Sequence, residues 1–132
     1  MLKLVKLIIS GTEIALPVDT QYRRKESLTL FSGTVTSSGN TADIDVSPFS
    51  AMELEIKVTG VSGTDPSLSV YIEGKFAATG DYKPIASVEN ITSTGVWYPP
   101  TVQLAFKTIR VRWVVGGTSP SFTFTVAGEA IV

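Results

Sequence analysis

At 132 residues the chain has the length of one domain able to bury a substantial core. Hydrophobic residues make up 43% and charged residues only 17%, and the formal net charge is −1, so there is no broad basic field for a phosphate backbone and no nucleic-acid partner is expected. The chain has no cysteine, which excludes disulfides and thiol chemistry, and no histidine, which removes the commonest general base, zinc ligand and triad member.

The first nine residues, MLKLVKLII, resemble a leader in outline. Their uninterrupted apolar run is only Leu7-Ile8-Ile9, and Glu13 follows soon after. That is too short for a signal core or a membrane span, so the segment reads as a strand and no membrane partner is expected. Ser10-Gly11-Thr12 reads as a turn, with a short return strand to Pro17. Residues 18–27, VDTQYRRKES, are polar and aperiodic and read as an extended arm suited to lie on a neighbour. The expected division is 1–27, strand hairpin and arm, and 28–132, the body, within a single domain overall.

The body reads as strands throughout. Residues 28–35 form the first, and Thr36-Ser37-Ser38-Gly39-Asn40 is a turn by composition. Ala42, Ile44 and Val46 alternate with Asp43 and Asp45. Met52, Leu54, Ile56 and Val58 alternate with Glu53, Glu55, Lys57 and Thr59, the clearest period of two in the chain. Leu68, Val70 and Ile72 alternate with Ser69, Tyr71 and Glu73. A strand is expected over 82–88 and a weaker one over 91–97, ended by Pro99-Pro100. Val102, Leu104 and Phe106 alternate in turn. Ile109, Val111, Trp113 and Val115 follow, with Arg110 and Arg112 on the other face, and Phe122, Phe124 and Val126 close the series. Trp113 and Phe124 share the period of core positions. No segment keeps helical spacing over two turns. Nine or ten short strands between turns predict an all-β, antiparallel two-sheet β-sandwich, jelly-roll or immunoglobulin-like in topology.

One pattern occurs twice. Gly63-Thr64-Asp65-Pro66-Ser67-Leu68 aligns with Gly117-Thr118-Ser119-Pro120-Ser121-Phe122, each between an apolar strand and a second alternating strand. Each copy reads as a hairpin with its turn at Gly-Thr-x-Pro-Ser. The approach to the motif is one residue longer in the first copy, a difference that a bulge or a longer loop absorbs.

No catalytic, cofactor-binding or metal residues are assigned. Glu53 with Glu55, and Asp43 with Asp45, are spaced for paired-carboxylate hydrolysis. Each pair sits where outward polar residues are expected, with Lys57, Arg110 or Arg112 as cross-strand partners. Asp65 belongs to turn chemistry rather than to a cation site, because its counterpart in the second copy is Ser119. Tyr71, Tyr82, Trp97 and Tyr98 are the surface aromatic candidates for stacking on a sugar or anchoring an interface.

The stretch from Met52 to Val126 carries a likeness to a known class. A strand runs into Gly-Thr-Asp-Pro-Ser-Leu, then Val-Tyr-Ile-Glu-Gly, a Gly-Asp-Tyr loop, an Ile-Arg-Val-Arg-Trp strand and a closing Gly-Gly-Thr-Ser-Pro-Ser-Phe segment. This resembles small β-sandwich structural proteins of tailed phages, over a little more than half the chain. The resemblance implies a non-enzymatic virion protein: a capsid decoration (cement) or minor head protein, assembled in the host cytoplasm. The implied partners are a major capsid protein or another virion subunit, with homo-oligomers, trimers among them, common in such proteins. Leu4, Ile8, Tyr22, Arg23 and Arg24 are the candidate contacts along the arm, which suits strand addition to a neighbour's sheet. The competing readings are a carbohydrate-binding module or a tail- or fibre-associated adhesion protein using the aromatic candidates, and a hydrolase using the carboxylate pairs.

Overall fold

The computed structural model describes residues 24–132 in full, together with the backbone of two further strands, β1 (Leu4–Ile9) and β2 (Thr12–Pro17). These two pair antiparallel, Leu4 opposite Pro17 and Ile9 opposite Thr12. Tyr22 and Arg23 lie outside the described residues. Arg24 is exposed and forms an ion pair with Glu26 at 3.4 Å.

The body is all-β and antiparallel, with no helix among the described residues. Its strands are β3 (Lys25–Val35), β4 (Gly39–Asn40), β5 (Ile44–Asp45), β6 (Ala51–Lys75), β7 (Tyr82–Ile91), β8 (Gly95–Trp97), β9 (Val102–Gln103) and β10 (Thr108–Ile131). β3 starts three residues ahead of its apolar pattern. Lys25, Glu26 and Ser27 are drawn into the ladder opposite Ile131, Ala130 and Glu129, and the Ser27 hydroxyl donates to the Glu129 carboxylate at 2.7 Å.

The expected hairpins are not hairpins. β6 and β10 run antiparallel to each other along their whole length, from Ala51 opposite Ile131 to Gly74 opposite Ile109. The two Gly-Thr-x-Pro-Ser motifs meet in the middle, with Thr64 opposite Thr118. The backbone explains why neither motif reverses the chain. A tight two-residue reversal of the I′ type needs two consecutive residues at positive φ. Here Gly63 (φ 111°) and Asp65 (φ 48°) are separated by Thr64, and Gly117 (φ 107°) and Ser119 (φ 48°) by Thr118. The strand therefore kinks and continues.

The kink is large. Trp113 and Phe124 both belong to β10, and a straight strand would hold them roughly 36 Å apart at ~3.3 Å per residue. Their ring centroids are 6.1 Å apart, and Phe31 lies against both, at 4.6 Å from Trp113 and 4.8 Å from Phe124. β10 bends back over its own inner face, and β6, paired to it throughout, bends with it. The kinks divide the sheet into two half-sheets, β4/β5–β10–β6–β7 and β3–β10–β6–β8/β9. Both bury their inward residues in one cluster: Leu68, Val70, Ile72, Ile109 and Val111 from the first, Met52, Leu54, Ile56, Phe122, Phe124 and Val126 from the second. Strands that bend from one layer into the other at bulges are a known way to build such corners.

This arrangement is an internal pseudo-two-fold. β3 and β7 each flank the second half of a long strand, the short pairs β4/β5 and β8/β9 each flank a first half, and β6 corresponds to β10. The register confirms it. A bulge falls between Val126 and Ala127 opposite β3, and another between Ile72 and Glu73 opposite β7, the same spacing along the chain as Thr64 to Thr118. The extra residue on the first approach is absorbed as a bulge, since Gly60 pairs Thr123 and Val58 pairs Phe124, leaving Thr59 over. Every described pairing in the body joins one repeat to the other: β3, β4 and β5 pair β10, whereas β7, β8 and β9 pair β6.

Candidate functional site

The densest side-chain chemistry among the described residues lies on the outer face of the first half-sheet. Alternation along β6 turns Tyr71, Glu73 and Lys75 away from the core, and alternation along β10 does the same for Arg110 and Arg112. Register then places Arg110 opposite Glu73 and Arg112 opposite Tyr71. Glu73 is only 4% exposed although it stands on an outer face. The guanidiniums roof it: Arg110 Nε donates to Oε1 at 2.9 Å and Arg112 Nε to Oε2 at 3.1 Å.

Each guanidinium is also backed by an aromatic ring. Arg110 sits 3.5 Å from the Tyr82 centroid and Arg112 4.3 Å from the Tyr71 centroid, distances at which the cation meets the ring's negative face. The rings are locked in turn. The Tyr82 hydroxyl donates to Asp43 Oδ1 at 2.6 Å, Lys75 Nζ donates to Asp43 Oδ2 at 2.9 Å, and the Tyr71 hydroxyl donates to Glu89 Oε1 at 3.0 Å. The Tyr82 hydrogen bond, with Lys75 behind it, holds the Asp43 carboxyl below its usual value of 3.8. The same bond pushes the Tyr82 phenol above 10.0, and its bond to Asp43 raises Lys75 above 10.5.

The surface aromatic candidates fall into two groups. Tyr71 and Tyr82 stand together in this network, each with a ring face against an arginine. Trp97 and Tyr98 belong to the other half-sheet. Trp97 packs against the core from β8, while Tyr98 is 71% exposed beside a groove lined by Glu53, Glu55, Ala127 and Glu129. A hydrogen bond to Glu55 raises the Tyr98 phenol.

The carboxylate pairs have separate partners. Asp43 serves Tyr82 and Lys75, and Asp45 Oδ1 accepts from the Ser47 amide at 2.9 Å. Glu53 accepts from the Thr101 hydroxyl. Arg110 and Arg112, expected opposite these pairs, bond Glu73 instead. Glu73 is the residue that sequence reasoning passes over. Its signal was the outward parity it shares with Tyr71, which becomes informative only once β6 and β10 are known to pair. Leu4 and Ile8 lie in β1. Among the described residues no group of three or more Asp or Glu side chains is placed to hold a metal ion.

These features define an antiparallel all-β domain with a polar aromatic–arginine network on one outer face. In fold it is similar to the SPBc2 prophage-derived protein YomS, whose crystal structure matches with a TM-score of 0.53 over 87% of this chain and 99% of that one, at 20% sequence identity. No protein-family model matches the chain, and no curated protein matches it.

Proposed function

We propose that this chain is a non-enzymatic structural subunit of a tailed-phage virion, a capsid decoration or minor head protein that acts through repeated protein–protein contacts. The observation that carries the reading is the fold shared with a prophage-derived protein along almost all of that protein's length. The architecture supports it. We read the two half-sheets as a small β-sandwich whose layers are tied by two continuous strands, a construction suited to bearing load. Between β3 and β10 the outer face of the second half-sheet carries a self-satisfied hydroxyl ladder, Thr34 with Thr123 at 2.8 Å and Ser32 with Thr125 at 3.1 Å. Many copies on a repeating shell make weak single contacts stable.

The test is sedimentation of the purified protein with phage heads and with tails, after its own mass is fixed by light scattering. The expected result is co-sedimentation with heads at a fixed ratio to the capsid subunit. Saturable binding to tails alone moves the role to the tail, and binding to neither removes the structural reading. A glycan-binding alternative draws on the exposed ring of Tyr98. It predicts a glycan-array signal that Tyr98→Ala abolishes.

A further inference from the structure

We propose that the Arg110–Arg112 pair is a preorganised receptor for a carboxylate on a partner protein, so that the outer face of the first half-sheet is the docking surface. The internal pseudo-two-fold supplies the main argument. The pair Arg110–Glu73 is related to Glu55–Ala127, and Arg112–Tyr71 to Lys57–Thr125. The second half-sheet holds the same strands in the same register with Ala127 and Thr125, so the scaffold does not need the network in order to fold. Its cost is a carboxylate, Glu73, withdrawn from water on a face that elsewhere carries exposed or half-buried side chains.

What the network achieves is orientation. One carboxylate engages the Nε of both arginines, and a tyrosine ring lies against each guanidinium. The arginine side chains are 21% and 33% exposed, and no described residue accepts from their terminal amino groups. Those groups form a fixed double fork, the geometry that matches a carboxylate or phosphate through paired hydrogen bonds. Because the side chains are already immobilised, little rotamer entropy remains to be lost on binding.

Charge selects between the two anions. Lys75, Arg110 and Arg112 are balanced by Asp43, Glu73 and Glu89, and the chain as a whole carries −1, so no long-range field draws in a polyphosphate. Short-range directional bonds flanked by tyrosine suit a protein surface, where arginine and tyrosine dominate binding energy. The inference rests on the structural reading above only for the nature of the partner.

The experiment is a titration of the 15N-labelled full chain with end-capped tetraglutamate, following the Nε–Hε signals of Arg110 and Arg112. Both are expected to shift saturably. Arg112→Gln should weaken the binding about tenfold, the effect of losing a charge-assisted hydrogen-bonded contact. Arg112→Lys, which keeps the charge without the fork, should also weaken it, and Lys57→Gln, at the pseudo-equivalent position, should leave it unchanged. Amide spectra of the variants establish that they are folded. Absence of a saturable shift overturns the proposal, as does equal weakening by Lys57→Gln or full binding by Arg112→Lys. Saturation by inorganic phosphate but not by tetraglutamate overturns the choice of carboxylate. A failed titration alongside stoichiometric particle binding removes this surface and leaves the virion role standing. A successful titration without particle binding does the reverse.

Discussion

Two residues at the centre of the fold are fixed by their backbone. A Cβ on Gly63 would lie 2.7 Å from the Ser119 carbonyl oxygen, and one on Gly117 would lie 2.6 Å from that of Asp65, reciprocal contacts across the pseudo-two-fold. Gly80 also has positive φ, but nothing approaches its Cβ position within 4 Å. Gly80→Ala should therefore cost about 1 kcal/mol from φ alone, and Gly63→Ala roughly 3 kcal/mol from φ and overlap together. Urea unfolding of the two variants measures the difference, and equal losses would show that the kink has room to relax. Asp43 gives a second prediction at this scale. Its folded pKa is lowered, so its contribution is present above 3.8 and fades as pH falls through the folded value. Tyr82 is raised, so its contribution is present below 10.0 and fades as pH rises through the folded value. Asp43→Asn should flatten both limbs of a plot of urea midpoint against pH. A variant that keeps the wild-type alkaline limb would show that the Tyr82–Asp43 bond is not its source.

At the level of elements, the two register shifts at the Gly-Thr-x-Pro-Ser motifs offset each other, and the bulge at Thr59 is the shift between the two long strands that remains uncompensated. Deleting Thr59 makes the first approach resemble the second and leaves Val58 opposite Phe124, so the fold should survive with a loss under about 2 kcal/mol. Deleting Thr125, where the ladder to β6 runs without a bulge, turns Val126 and Ala130 to the wrong face and should abolish the cooperative transition. Similar behaviour of the two deletions in a thermal melt would refute the role assigned to the bulge. The inward facing along β6 and β10 and this one-residue mismatch were legible in the sequence, because period-two alternation and spacing are local. The partner of each strand was not. A Gly-Thr-x-Pro-Ser motif has the composition of a hairpin turn, and only tertiary pairing decides whether such a segment reverses or kinks. The site followed the same divide. Tyr71, Arg110 and Arg112 could be placed on outer faces from parity alone and Tyr82 only beside a loop, whereas the convergence of the arginines on Glu73 depends on a register between strands far apart in sequence. Val102, Leu104 and Phe106 show the opposite error. Their alternation suggests a full strand, yet only Val102–Gln103 pairs, opposite Met52 and Ala51.

Over the whole molecule, the exchanged pairing sets how the chain must fold. The first repeat contributes β3 to β6 and the second β7 to β10, and the described ladders of the body all run between the two. Neither repeat can satisfy its own backbone hydrogen bonds or cover its own apolar face, so neither is a folding unit. The two must condense together, through contacts distant in sequence, and slow folding of the kind seen in β proteins of high contact order is expected. The exposed turn at residues 77–81, which links the repeats, carries none of these ladders and is a place to cut. Residues 24–78 and 79–132 expressed separately should each be unfolded as monomers, and mixing them should restore the dispersed amide spectrum of the intact body. The pseudo-two-fold allows one further outcome, since two copies of one repeat can take the places of β6 and β10 and form a symmetric dimer. Light scattering distinguishes that dimer from the mixed complex. A folded monomer of either half would mean that pairing within a repeat can replace pairing between repeats, and the account of the fold as two interlocked copies would fail.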